Sequence, residues 1–187
     1  MNLMGESMAK EMAKEMAKET VPRVGDSFLN KQDLIEKLLA KLEQERASIA
    51  EAALHTYEAA THEESEPEDQ YDTRGLEASY LAGAQAKRVA EVEQTIHTIK
   101  ALPFRDFSDT DPIGATALIE LEHDGKTNYC LLLPQGGGLS VEHGGHHVQV
   151  ITPKSPLGEA LLGRKVGDVA VIDVNNQTKE YDIISVS

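Results

Sequence analysis

Aromatic side chains are scarce in this sequence. They make up 4% of 187 residues, and there is no tryptophan. A nucleic-acid platform built on stacked aromatics is therefore poorly supplied. Cationic side chains are few as well, 18 Lys and Arg against 32 Asp and Glu, for a formal charge of −14. Phosphate binding is driven by Lys and Arg displacing counterions, so the charge disfavours free nucleic acid as a direct ligand and favours a basic protein partner. The single cysteine, Cys130, rules out an internal disulfide framework and a four-cysteine zinc site. No run of about 18 apolar residues appears, and the N-terminus lacks the apolar centre of a secretory signal. The chain reads as a soluble, cytoplasmic protein.

What is present falls into three parts. Residues 8–19 repeat a four-residue unit, MAKEMAKEMAKE. Met8, Met12 and Met16 share a broad helical face, and Glu11–Lys14 and Glu15–Lys18 pair at i,i+3. A dozen helix-favouring residues alone are marginal in water, so residues 1–26 are assigned as a low-complexity, flexible tail.

From Ser27 the pattern is helical. Ser27 or Asn30 is a candidate cap, and Asp33 lies in the first turn. Leu34, Ile35, Leu38, Leu39, Leu42 and Ile49 recur at helical spacing, continued by Ala52 and Ala53 to about Ala60. A second stripe starts near Asp72 or Thr73, with Leu76, Tyr80, Ala84, Val89, Val92, Ile96 and Ile99, and Pro103 stops it. Two long helices joined by a polar turn predict an antiparallel coiled-coil hairpin over residues 27–102, with its tip at about 61–73. That tip carries HEESEPEDQYD, residues 62–72, with six carboxylates in eleven residues.

After Pro103 the signal is β. Gly114–Glu122, then Asp124-Gly125 and TNYCLLLP, predict a hairpin. Gly136–Gly138 and Gly144-Gly145 bracket a short segment followed by VQVIT. SPLGEALL predicts a short helix with Pro156 at its first position, ended by Gly163. DVAVIDV and KEYDIISV form a closing hairpin. The expected class is α+β: the helical hairpin followed by a small antiparallel β domain with one short helix over residues 103–187.

The residues SPLGEALLGRKVGDVAVI resemble the C-terminal domain of the bacterial Gre transcript-cleavage factors. Ser155, Pro156, Ala160, Leu161, Gly163, Gly167 and Asp168 match that family's pattern. Gly114-Ala115-Thr116 and Glu180-Tyr181-Asp182-Ile183 resemble its first and last strands there, and Tyr80-Leu81-Ala82 its hairpin. The resemblance spans roughly residues 28–187 and implies an FKBP-like C-terminal fold. It also implies binding to RNA polymerase near the rim of its secondary channel, with the hairpin inserted and nucleic acid met only indirectly. No membrane partner is implied. The factor is expected to modulate the polymerase and not to be an enzyme, with no cofactor of its own. In the family, two tip carboxylates help hold a second Mg²⁺, and the ion would arise only in complex with polymerase.

The tip departs from the family pattern. Aligned on Tyr80, the two carboxylate positions fall on Thr73 and Leu76, and shifted by one on Asp72 and Gly75. Acids nearby are Glu68, Asp69, Asp72 and Glu77. Asp69 and Asp72 make an Asp-x-x-Asp spacing, whereas Asp72 and Glu77, five apart, are poorly placed to share an ion. Three readings remain open: a solvated turn, an acidic probe in a basic channel, and a displaced metal site at Asp69 and Asp72. Transcript cleavage is accordingly expected to be weak or absent. The docking loop departs too: Lys154 precedes Ser155-Pro156 where cleavage factors often carry Asp or Asn, a reversal that changes the partner required.

Other clusters are weaker. Glu142, His143, His146 and His147 could offer metal donors, but flanking glycines predict a mobile loop. Ser140 and His143 lack a nucleophile elbow. Gly136–Gly138 lacks the Gly-Lys-Ser/Thr of a phosphate loop. A reading from a different class is an interaction module that self-associates through the leucine stripe of the first helix.

Overall fold

The computed structural model describes residues 30–61, 74–174 and 177–187. The MAKE repeat, Ser27 and most of the acidic tip lie outside those residues. Helix α1 spans Lys31–Thr61 and α2 spans Arg74–Ala101. Six strands follow: β1 Leu118–His123, β2 Lys126–Leu132, β3 Ser140–His143, β4 His146–Ile151, β5 Val169–Val174 and β6 Gln177–Val186. A short helix, α3, Pro156–Leu161, lies between β4 and β5. The α+β class expected from the sequence holds.

Asn30 is the cap of α1. Its side-chain oxygen accepts from the backbone N–H of Gln32 at 2.9 Å and of Asp33 at 3.4 Å, satisfying donors that a helix start leaves orphaned. At 31 and 28 residues, the two helices are each roughly 45 Å long at about 1.5 Å per residue. They lie side by side and are cross-linked by ion pairs: Arg88 to Glu45 at 2.7 Å, Lys100 to Glu43 at 2.8 Å and Arg46 to Glu93 at 3.6 Å. The Lys100 ammonium holds the Glu43 carboxyl below its ordinary range. Apart from the half-buried Glu45 these groups are exposed, so solvent screens the pairs and each contributes little.

The sheet has the order β3-β4-β2-β1-β6-β5. Neighbours run antiparallel except β2 and β4, which pair in parallel with Tyr129 opposite Val148 and Leu132 opposite Ile151. The mostly antiparallel sheet expected from the sequence holds, with this one parallel ladder. Its cause is the loop through Gly136–Gly138, which lets β3 turn back to form the outer hairpin with β4.

Each face of the sheet carries its own apolar cluster, as period-two alternation dictates. One face presents Leu118, Leu131, Val141, Val148 and Val150 to Leu34, Ile35, Leu38 and Leu42 of α1 and Val92, Ile96 and Ile99 of α2. The opposite face presents Ile119, Leu121, Cys130, Leu132, Ile151, Ala170 and Ile183 to Phe107, Ile113 and Leu161. The root of the hairpin and the sheet thus share one core. Lys31 adds a polar tie, its ammonium donating to the Arg105 carbonyl at 2.7 Å. Burial lowers its pKa to about 8, with Arg105 adding to the shift and Asp106 opposing it.

Two expectations are corrected here. The self-association reading relied on the leucine stripe of α1, yet Leu34 and Leu38 are fully buried within the chain and Ile35 and Leu42 nearly so. Those four side chains offer no surface to a second copy. The second stripe does not run intact along α2. Val92, Ile96 and Ile99 are buried, but Leu76 is 58% and Tyr80 72% exposed. A spacing of four advances about 40° per step on a 3.6-residue helix, so Leu76, Tyr80 and Ala84 rotate off the seam.

The first C-terminal strand starts later than the sequence pattern suggests. Residues 114–117 form a turn, with Thr116 at φ 74°, and the ladder begins at Leu118.

Candidate docking loop and hairpin

The loop between β4 and α3 is built around one carbonyl. Thr152 O accepts from the Ser155 backbone N–H at 2.9 Å and from the Ser155 hydroxyl at 2.8 Å. The same hydroxyl oxygen accepts from the Gly158 N–H at 3.1 Å, while the Ser155 carbonyl accepts from Glu159 N–H at 2.8 Å. Ser155 is therefore the N-cap of α3, with extended backbone at φ −78° and ψ 153°, and Pro156 occupies the helix start, where a missing N–H is harmless. Gly158 is buried directly beneath: a Cβ there would lie 1.9 Å from Thr152 O. Only glycine allows the helix to sit this close to the loop.

The far end of α3 is tied to the segment that leads into β1. Gly163 N–H donates to Ile113 O at 2.9 Å, and Ile113 N–H donates to Arg164 O at 2.7 Å. Of the three docking residues named from the sequence, Lys154 and Pro156 are exposed and Ser155 is partly buried. What the loop offers a partner is thus the Lys154 ammonium and the Pro156 ring on a rigid turn. The Ser155 hydroxyl is already engaged on both its donor and acceptor sides. The role of Gly158 was not singled out from the sequence. A glycine in the first turn of SPLGEALL was the available signal, since glycine inside a helix is unfavourable unless backbone approaches closely.

Glu77 lies in the first turn of α2 and is exposed. Glu68, Asp69 and Asp72, the other tip acids, fall outside the described residues. Among the described residues, no group of three or more His, Cys, Asp or Glu side chains comes together to hold a metal ion.

The histidine segment is a hairpin, the loop expected from the sequence, closed by a two-residue turn. Gly144 and Gly145 both take positive φ, 59° and 80°, the requirement of the tight turn that matches strand twist. His143 and His146 are cross-strand partners on one face, where His143 is buried and His146 tilts over the Tyr129 ring with centroids 4.6 Å apart. Glu142 and His147 are partners on the other face and pair at 2.7 Å, so alternation divides the four donors two and two. Cys130 is a buried strand residue whose thiol burial pushes up to about 12. No helix among the described residues is long and apolar enough to cross a membrane.

Residues 112–187 match the family described as transcription elongation factor, GreA/GreB, C-terminal. This segment is a GreA/GreB C-terminal domain. Its span takes in the docking loop, α3 and all six strands. The similarity continues into the hairpin. The chain is 27% identical over 154 residues to the transcription inhibitor protein Gfh1 of Thermus aquaticus, covering 81% of this chain and 90% of that one. It is 28% identical over 105 residues to the transcription elongation factor GreA of Thermotoga maritima, covering 56% and 63%. A crystal structure of GreA factor homolog 1 of Thermus thermophilus matches at 26% identity over 82% of this chain and 94% of that one. Its TM-score is 0.35, too low a global overlap to bear on placement of the parts. The Gre-type resemblance drawn from SPLGEALLGRKVGD and the helical hairpin therefore holds.

Proposed function

We propose that this protein is a Gre-like regulator of transcription elongation that binds bacterial RNA polymerase. In this reading the C-terminal domain docks near the rim of the secondary channel, through a surface that includes Lys154 and Pro156, and the hairpin enters the channel. The protein modulates the polymerase and stimulates transcript cleavage weakly or not at all. The GreA/GreB domain at residues 112–187, preceded by a helical hairpin, is the observation that carries the reading.

Chemistry at the tip supports the second part. Cleavage assisted by a second Mg²⁺ needs hard oxygen ligands in near-octahedral placement. In the register set by Tyr80, Leu76 stands at one of the family's two carboxylate positions and presents an apolar side chain that is 58% exposed. An isobutyl group there supplies no oxygen. In the register shifted by one that position is Gly75, which also supplies no side-chain oxygen. Relatives matched over most of both chains include one named a transcription inhibitor and others named transcription elongation factor GreA, so the missing tip oxygen, and not a relative's name, supports the weak-cleavage reading.

A backtracked transcription complex with 3′-extruded RNA tests both parts. Adding the protein should change pausing or elongation rate without rapid shortening of the RNA. Rapid shortening that is lost in Asp69→Ala or Asp72→Ala would show a displaced metal site and overturn the weak-cleavage reading. Failure to co-elute with polymerase, with no effect on pausing, would overturn polymerase binding itself.

A further inference from the structure

The hairpin covers only part of the sheet face it packs on. Its contacts end at β1: no residue of β5 or β6 belongs to the hairpin-side cluster. The uncovered part has an unusual side-chain pattern. The β5–β6 register places Val169 opposite Asp182 and Val171 opposite Glu180, and the β1–β6 register places Glu122 opposite Asp182. Ala170 and Ile183 point into the core of the other face. By alternation, Val169, Val171, Asp182, Glu180 and Glu122 therefore share the hairpin side. Val169 is 37% and Val171 45% exposed, and Ile184, beside the irregularity in β6, is 42% exposed.

Two features make this a poor surface for solvent alone. Glu122 and Asp182 are like charges directly opposite one another, at about 4.5–5.5 Å between Cβ atoms, an arrangement that destabilises a sheet. None of Glu122, Glu180 or Asp182 forms an ion pair among the described residues, although ion pairs bridge α1 and α2 in the hairpin. Next to these acids lie β-branched apolar side chains on β5, an edge strand. Edge strands usually carry charge to block pairing with another chain, and apolar residues there mark a contact.

We infer that the open β5–β6 face is a second polymerase-binding surface. It accepts a protein segment with an apolar centre on Val169 and Val171 and Lys or Arg groups against Glu122, Glu180 and Asp182. It lies on the sheet face opposite α3 and its docking loop. Charge complementarity decides the occupant. A second copy of this chain would bring another −14 of charge, whereas a cationic segment relieves the Glu122–Asp182 repulsion on binding. The inference rests on the polymerase-binding reading above.

Photocrosslinking on bacterial RNA polymerase core enzyme tests it. p-Benzoylphenylalanine replaces Val171 in one protein and Pro156 in another, and polymerase affinity is measured for the double variant Glu180→Lys, Asp182→Lys. Asp109→Lys, on an exposed loop, is the control for altered charge. The Val171 probe should crosslink to a Lys- or Arg-rich polymerase segment. The double variant should bind about ten-fold more weakly than the wild type, with Asp109→Lys little changed. Crosslinks from Val171 between two copies of this chain, or to its own residues 1–29, would overturn the inference. So would crosslinking from Pro156 alone with affinity of the double variant intact, an outcome that leaves the polymerase-binding reading standing. Absence of any wild-type binding would remove both.

Discussion

Gly158→Ala is the most informative single change in the docking loop. The new methyl group would lie 1.9 Å from Thr152 O and 2.8 Å from the Thr152 carbonyl carbon. An ordinary contact needs at least about 3.4 Å, so loop and helix must separate by more than 1 Å, and the obstacle is backbone that cannot swing aside as a flexible side chain would. Overpacking of this kind costs about 1–3 kcal/mol. The displacement also pulls apart the Ser155 cap, worth about 1 kcal/mol. The sum, about 2–4 kcal/mol, corresponds to a fall in Tm of about 5–15 °C for a chain of this size. Ser155→Ala removes the cap without the clash and should cost only about 1 kcal/mol. Chemical denaturation of wild type and both variants gives the comparison, and polymerase affinity gives the functional consequence. If Gly158→Ala matches wild-type stability to within 0.5 kcal/mol (a margin set by ordinary surface substitutions), the close approach of α3 to Thr152 is wrong. A loss no larger than that of Ser155→Ala would likewise refute the steric argument.

Leu38→Ala, at a fully buried position shared by both helices and the sheet, should cost about 2–5 kcal/mol. Because the core is shared, helical and β signals should melt together at the lower midpoint; separate transitions would show that hairpin and sheet unfold independently. Breaking the exposed Arg88–Glu45 pair by Arg88→Ala should cost less than about 1 kcal/mol, checked in the same denaturation series. Cys130 should react with a thiol reagent at pH 8 only as fast as the chain opens, since its thiol is buried and its pKa is raised to about 12. The unfolded thiol ionises near its ordinary value of 9.0. Between about pH 9 and 12 the native state therefore holds a proton the unfolded state has lost, and stability should fall with rising pH relative to Cys130→Ser.

The elements were legible where one local signal dominates. Asn30, Pro103 and the SPLGEALLG run mark helix ends by chemistry that needs no tertiary context. What each apolar stripe faces was harder to read. The stripe of α1 is broad near its start, with Leu34, Ile35, Leu38, Leu39 and Leu42, then narrows to Ile49 and Ala53. Width was the available clue: a broad stripe serves two partners, here α2 and the sheet, while a narrow one serves a single helix. The parallel pairing of β2 with β4 leaves no local trace, because either direction of pairing uses the same apolar residues. The pairing of His143 with His146 and of Glu142 with His147 is set by strand register, which adjacency in the sequence does not show. Likewise the acid and valine pattern on β5 and β6 becomes a surface only when register places Asp182 between Glu122 and Val169. The Lys154 departure was legible directly, since its neighbours Ser155 and Pro156 fix the loop.

The shared core at the hairpin root makes the two helices a cantilever. Fully buried anchorage on α1 runs from Leu34 to Leu42, about 12 Å of helix at 1.5 Å per residue, whereas the free arm from Leu42 to Thr61 is about 28 Å. A tilt of one degree at the root then moves the end of that arm by about 0.5 Å, the tolerance within which a binding group must be held. Small changes in the packing of Leu38 or Ile99 against the sheet are therefore amplified at the far end of the arm, and its aim is governed by residues about 28 Å away.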